Sequence, residues 1–348
     1  MPVRNFEPIN PATDISTTRT YLHEVIPITG SIVSGTYSDN NIKNYTHAMF
    51  QSVYDYPYLS SSANHIFDLT MGYAGDSALS ASANVQNAKK INMYNQFAQT
   101  LLGFTGSANN IRPFESDLLL DLTGSMKEVI FVNFSRLLVK DEIKKNTFSI
   151  TLGTGSYSTP FRTGSSALTL QDANARINGD GVNNADGGDY GVLFSNSAGT
   201  GDGLGVVFYQ AGIAVITASA FAIADFAKHP PHGNQTPQQA FTGSSMTGSI
   251  EAFRRRIQNI SFNNTTEINS TVYFCRAPAN KFNYSANPTY VSGSKIRVKN
   301  IGQDNPVAYV TTVGLYNSAN ELLAVAKLSE PLKKSVDNEL TIRVRLDY

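Results

Sequence analysis

A mainly β chain is predicted, built of β-sandwich-like domains with one prominent helix near residues 85–102 and an extended N-terminal arm; an α+β arrangement is the alternative. Three observations predict it. Short β-rich runs recur, and the last of them, residues 339–347 (ELTIRVRLD), alternates apolar and polar side chains with period two. Charged residues are 16% of the chain, below the roughly 25% usual in soluble domains, and neutral polar residues fill the gap. Only one segment carries a clear helical period.

Residues 1–60 do not look like a compact unit. Pro2, Pro8, Pro11, Pro27 and Pro57 oppose helices and sheet centres. The aromatics Phe6, Tyr21, Tyr45, Tyr54 and Tyr56 need a surface to bury against. An arm lying across neighbouring subunits satisfies both facts, and those five residues are the candidate interface. Removing residues 1–50 is then expected to spare the fold and impair assembly.

In residues 85–102, Ile91, Tyr94, Ala98 and Leu101 form one apolar stripe at helical spacing, with Asn84 as a cap and Gly103 as the terminator. Strands are expected at 129–134 (VIFVNF), 147–152 (TFSITL) and 190–194, with a turn or two of helix between the first two. Residues 204–224 contain no charge, yet Gly205 and Gly212 interrupt them and no basic cluster flanks them. Two buried strands and a short helical turn fit better than a membrane span. Strands at 256–262 and 267–276 flank a turn at 263–266 (NNTT), an alternating run covers 295–299, and strands at 307–316 and 321–328 flank a turn at 317–320. The domains expected are the arm (1–60), a β-rich domain with one helix (61–245) and a C-terminal sandwich-like domain (246–348).

Composition and motifs narrow the function. Basic and acidic residues number 27 each. The strongest basic run, Arg254-Arg255-Arg256, stands alone, so nucleic acid is not an expected partner. A neutral chain has little repulsion between its copies. The single Cys275 permits no internal disulfide and is expected to be a small core residue. Residues 1–10 lack the apolar core of a secretion signal. Asn-x-Ser/Thr sites such as those at Asn44, Asn133, Asn259, Asn263, Asn264, Asn269 and Asn283 therefore reflect polar β-structure.

No phosphate loop, nucleophile elbow or triad signature is present. His229 and His232 form the one close histidine pair and lack a second pair to complete a zinc site. Residues 180–189 (DGVNNADGGD) resemble a calcium loop superficially, but Val182 stands where the third position needs an oxygen ligand, and no glutamate closes the loop. No catalytic residue, cofactor or metal ligand is therefore assigned, and an enzyme is not expected.

Residues 262–276 (FNNTTEINSTVYFCR), 282–290 (FNYSANPTY), 309–334, 343–348 (RVRLDY), 65–80 (HIFDLTMGYAGDSALS), 89–103 and 141–155 together resemble virion structural proteins of large contractile-tailed bacteriophages, including those of marine cyanobacteria. The similarity spans about residues 65–348. It implies a structural subunit in the tail baseplate or its fibre-attachment periphery, assembled in the host cytoplasm. It also implies multiple copies per particle, with other tail proteins as partners. The alternatives are a carbohydrate- or receptor-binding β-module of a tail fibre, against which the absence of Trp counts, or a neck or connector component.

Overall fold

The computed structural model describes residues 6–29, 39–105, 110–116, 124–161, 167–177, 182–229, 233–244, 246–285, 290–293, 295–296, 303 and 305–348. Strands account for 47% of it and helical segments for 15%. The principal elements in chain order are β1 (Ile15–Thr29), β2 (Ile42–Asn44), β3 (Gln51–Tyr54), β4 (His65–Tyr73), α1 (Asn87–Leu102), β5 (Glu128–Phe134), β6 (Ser149–Gly153), β7 (Ala167–Gln171), β8 (Val182–Ala185), β9 (Gly188–Leu193), β10 (Gly205–Phe208), β11 (Ile213–Thr217), α2 (Pro237–Thr242), α3 (Met246–Arg254), β12 (Ile257–Ala277), β13 (Val307–Tyr316), β14 (Leu322–Ser335) and β15 (Leu340–Asp347). Two compact units are present. The larger comprises residues 22–266, the smaller residues 1–21 and 267–348.

The larger unit is organised by an antiparallel sheet of eight strands in the order β8-β9-β10-β11-β5-β4-β3-β2. Its central strands are apolar on both faces. Along β5, Ile130, Val132 and Phe134 enter one core, and Val129 and Phe131 enter another. Ala214 and Ile216 of β11 part from Val215 in the same way. Burial on both sides is why these strands read as unbroken hydrophobic runs. Residues 204–224 accordingly form β10, β11 and a single 3-10 turn at Ala218–Ala220. No helix among the described residues is long and apolar enough to cross a membrane.

One face of this sheet meets a second sheet. Phe148, Ile150 and Leu152 on β6 and its lead-in, with Ile257, Ile260 and Phe262 of β12, share its core with Phe67, Leu69 and Phe134. Phe134 packs against Phe262 and Phe148 at ring separations of 5.2 and 5.9 Å. Two sheets closed over a common apolar layer make the expected sandwich. The opposite face is covered by α1, whose Tyr94, Ala98 and Leu101 pack with Val129, Phe131 and Val215. The helix approaches so closely that a Cβ on Gly72 of β4 would lie 2.8 Å from the Lys90 carbonyl oxygen and the Tyr94 nitrogen.

Helix α1 is the longest among the described residues and ends at Gly103 as expected, with φ +73°. Its start differs. Gln86 in the left-handed region precedes the first turn without a side-chain cap, while the Asn84 amide donates to the Leu79 carbonyl. The helical turn expected after β5 is Arg136–Val139.

Three expectations are corrected. Residues 263–266 make no turn: β12 runs unbroken for 21 residues. Asn and Thr favour turns when they bond their own backbone. Here Asn264 instead donates to the Leu138 carbonyl and accepts from the Glu24 N–H, and the Asn263 N–H donates to Thr147 Oγ1. Nor do the described residues within 1–60 form an arm apart from the fold, because β2 and β3 belong to the eight-stranded sheet, Ile28 and Ile42 lie in its core, and β1 pairs with β12. Cys275 is half-buried rather than a core residue, as is its strand partner Ile342. The alternating run at 295–299 falls mostly outside the described residues.

In the smaller unit, the second half of β12 pairs with β15, from Ser270 opposite Asp347 to Ala277 opposite Leu340. β13 and β14 form a two-stranded ribbon around the expected turn at 317–320, where Asn317 Oδ1 accepts the Ala319 and Glu321 N–H groups. β14 continues through Pro331 to Ser335, past the expected end at residue 328, where the register shifts in the paired strand.

Arg256 fastens the sandwich edge. It is 1% exposed, and its guanidinium donates to the carbonyls of Gly153, Gly155, Asp225 and Phe226 at 2.7–3.0 Å. Replacing it by Met leaves those carbonyls without their donor, so Arg256→Met is expected to destabilise the chain by roughly 3–5 kcal/mol, read from the urea midpoint. Deleting residues 1–50, contrary to the sequence expectation, removes β1, β2 and the core residues Ile28 and Ile42. The truncated chain is expected to lose cooperative unfolding in a thermal melt.

Candidate functional site

Most buried charges are committed to holding backbone. Arg254 and Arg256 are buried, and the Arg255 guanidinium lies over the Tyr157 ring at 4.7 Å. The basic run is thus part of the fold. Lys90 is fully buried and donates from Nζ to the carbonyls of Val85 and Gly243, at 3.1 and 2.8 Å. Desolvation lowers its pKa to about 8.

Asp172 gathers the turn before β6. Its carboxylate accepts the N–H groups of Asn146 and Phe148 and the Tyr209 hydroxyl. Burial outweighs these donors and raises its pKa to about 6. Asp189, in the tract that resembles a calcium loop, is paired with Lys145 and accepts from Asn184 at 2.8 Å; these bonds hold its pKa below the usual carboxylate value. Among the described residues, no three His, Cys, Asp or Glu side chains lie close enough to hold a metal ion. Asp180 and the His229–His232 side chains lie outside the described residues.

A network of side-chain hydrogen bonds joins β2, β3 and β4. Cross-strand pairing puts Lys43 opposite Ser52 and Ser52 opposite Asp68. The Ser52 hydroxyl donates to Asp68 Oδ1, and His65 Nε2 reaches the same oxygen at 2.8 Å. The Tyr45 hydroxyl lies 3.3 Å from Ser52 Oγ, and the Tyr54 ring packs 5.4 Å from His65. Serine, histidine and aspartate meet here, but in the wrong order for hydrolysis. Nucleophilic catalysis needs the histidine between serine and carboxylate, to take the hydroxyl proton. Here the carboxylate stands between, so the network fixes side chains and activates none.

What it fixes is an aromatic surface. Tyr45 stacks with His47 and tilts against Phe50 at 4.5 Å. The loop after β3 is closed at its base, where the Asn64 amide and N–H both bind the Asp55 carboxylate. Its tip exposes Tyr56 (56%), Tyr58 (37%) and Leu59 (86%). A closed loop carrying exposed tyrosines presents contact area at low ordering cost.

The five aromatics chosen from the sequence do not form one site. Tyr45 and Tyr54 are joined through Ser52, Asp68 and His65, and Tyr56 sits on the adjoining tip. Tyr21 stands half-exposed on β1. Phe6 belongs to the smaller unit, where its ring meets Tyr316 edge-on at 5.0 Å. Sequence reading missed His65, Asp68 and Ser52, which meet only through strand register. It also missed the exposed apolar side chains of the ribbon, Tyr309, Tyr316, Leu322, Leu323 and Val325. Nothing in a strand's alternation says whether a layer covers its apolar face.

No family model, curated protein or solved structure matches this chain.

Asp172 gives a titration with a definite sign. Its folded pKa of about 6 lies above the ordinary aspartate value of 3.8. Between these values the folded chain holds the proton and the unfolded chain does not. Stability therefore falls as pH rises from about 4 to 6, by an amount on the order of 3 kcal/mol. Asp172→Asn is expected to remove that slope, measured as unfolding free energy against pH.

Proposed function

We propose that the chain is a structural subunit of a tailed-phage virion, in the tail baseplate or its fibre-attachment periphery, acting through contacts with other tail proteins and present in multiple copies. The observation that carries the reading is the contrast between inside and outside. Arg256, Lys90 and Asp172 all bind backbone groups and stabilise the fold, while large apolar side chains stand exposed on two built features. One is the closed tip of Tyr56, Tyr58 and Leu59; the other is the ribbon of Tyr309, Tyr316, Leu322, Leu323 and Val325. Exposed aromatic and aliphatic residues grouped on ordered elements suit protein contact. The virion setting rests on the resemblance read in the sequence of residues 65–348.

Purified tailed particles from cells making the chain test this. Quantitative mass spectrometry is expected to find it at a fixed number of copies above one per particle, retained through a high-salt wash. Recovery only in the particle-free fraction would end the reading.

A further inference from the structure

In the smaller unit, residues 6 and 7 pack on side chains of the C-terminal part. Phe6 contacts Tyr316 at 5.0 Å with the rings inclined by 65°, and Glu7 Oε2 pairs with Lys281 Nζ at 2.6 Å. Tyr316 is one end of an apolar shelf on the ribbon. A Cβ on Gly314 would lie 2.9 Å from the Tyr316 ring and 3.1 Å from Leu322 Cδ1, so both side chains reach across that glycine. Val325, the strand partner of Gly314, continues the shelf and is 53% exposed. Phe6 leaves Leu322 and Val325 largely open.

The docked segment is separable from β1. Residues 10–14 form a turn closed on itself: the Asp14 N–H donates to the Asn10 carbonyl, the Asn10 N–H to Asp14 Oδ2 and the Ala12 N–H to Asn10 Oδ1. Asp14 is also paired with Arg276 at 2.8 Å. β1 therefore stays anchored whether or not residues 6–9 are seated. Both rings are more than a third exposed, and the ion pair is partly solvated, so release of the segment opens no core.

We propose that residues 6–9 are an exchangeable docking segment: in the assembled state, Phe6 and Glu7 of one copy occupy the Tyr316–Lys281 site of a second copy. The occupant is a second copy because the complementary peptide belongs to this chain, and an identical site on a neighbour accepts it with the same contacts. Exchange of a small terminal element between identical subunits is a low-cost route to association, and the high local concentration in a particle favours it. The inference rests on the assembly reading above, but its test uses purified chain alone.

Reciprocal charge reversal is the experiment. Glu7→Lys and Lys281→Glu each place like charges at the site, within one chain and between identical chains. An equimolar mixture of the two variants restores opposite charges only between unlike copies. Sedimentation equilibrium at low salt is expected to show the mixture associating about five- to tenfold more tightly than either variant alone, with the gain lost when Phe6→Ala is added to both. A mixture no more associated than its components overturns the proposal, even if the chain is found in particles. Association of the mixture, with the chain absent from particles, would keep the exchange and remove the virion setting.

Discussion

The rest of the structure depends on the eight-stranded sheet being apolar on both faces. A sheet with one wet face needs a single covering layer. This one, with Ile130 and Val132 on one side and Val129 and Phe131 on the other, needs two. The second sheet supplies one and α1 the other. Gly72 follows from the same constraint, because the helix must come within contact distance of β4 to exclude water. The near-continuous hydrophobicity of β5, β10 and β11 is thus a record of their central position.

Such a core leaves little room for solvated charge, and the chain resolves its buried charges through main-chain groups. Arg256 is satisfied by four carbonyls, Lys90 by two, and Asp172 by two N–H groups and a tyrosine. Each ties segments distant in sequence, for a backbone partner in a loop fixes the path of that loop. The Ser52–Asp68–His65 group differs, being joined through side chains alone, and it links Tyr45 to Tyr54.

Function, in this reading, lies in exposed area rather than in reacting groups. The closed loop after β3 and the ribbon of the smaller unit both present apolar side chains on backbone that is already ordered. Less conformational entropy is then lost when they are covered. In the proposed assembly, the N-terminal segment would add an exchangeable element to this display.

By itself the sequence determined the local choices. Period-two alternation marked β15, the 3–4-residue stripe marked α1, Gly103 marked its end, and the glycine breaks in residues 204–224 divided a charge-free run into two strands. These are short-range properties, fixed by φ/ψ preference and side-chain direction within a few residues. Only tertiary structure decided whether local signals were obeyed. Asn263 and Asn264 stayed extended because distant segments took their hydrogen bonds. Residues 42–54 joined the sheet because β4 offered a strand edge. The apolar residues of β13 and β14 remained exposed because no third layer of the described residues closes over them. Arg256 went inside because carbonyls remote in sequence converge on its position. Each outcome depends on partners many residues away, and the energy of meeting a distant partner leaves no mark on the segment that meets it.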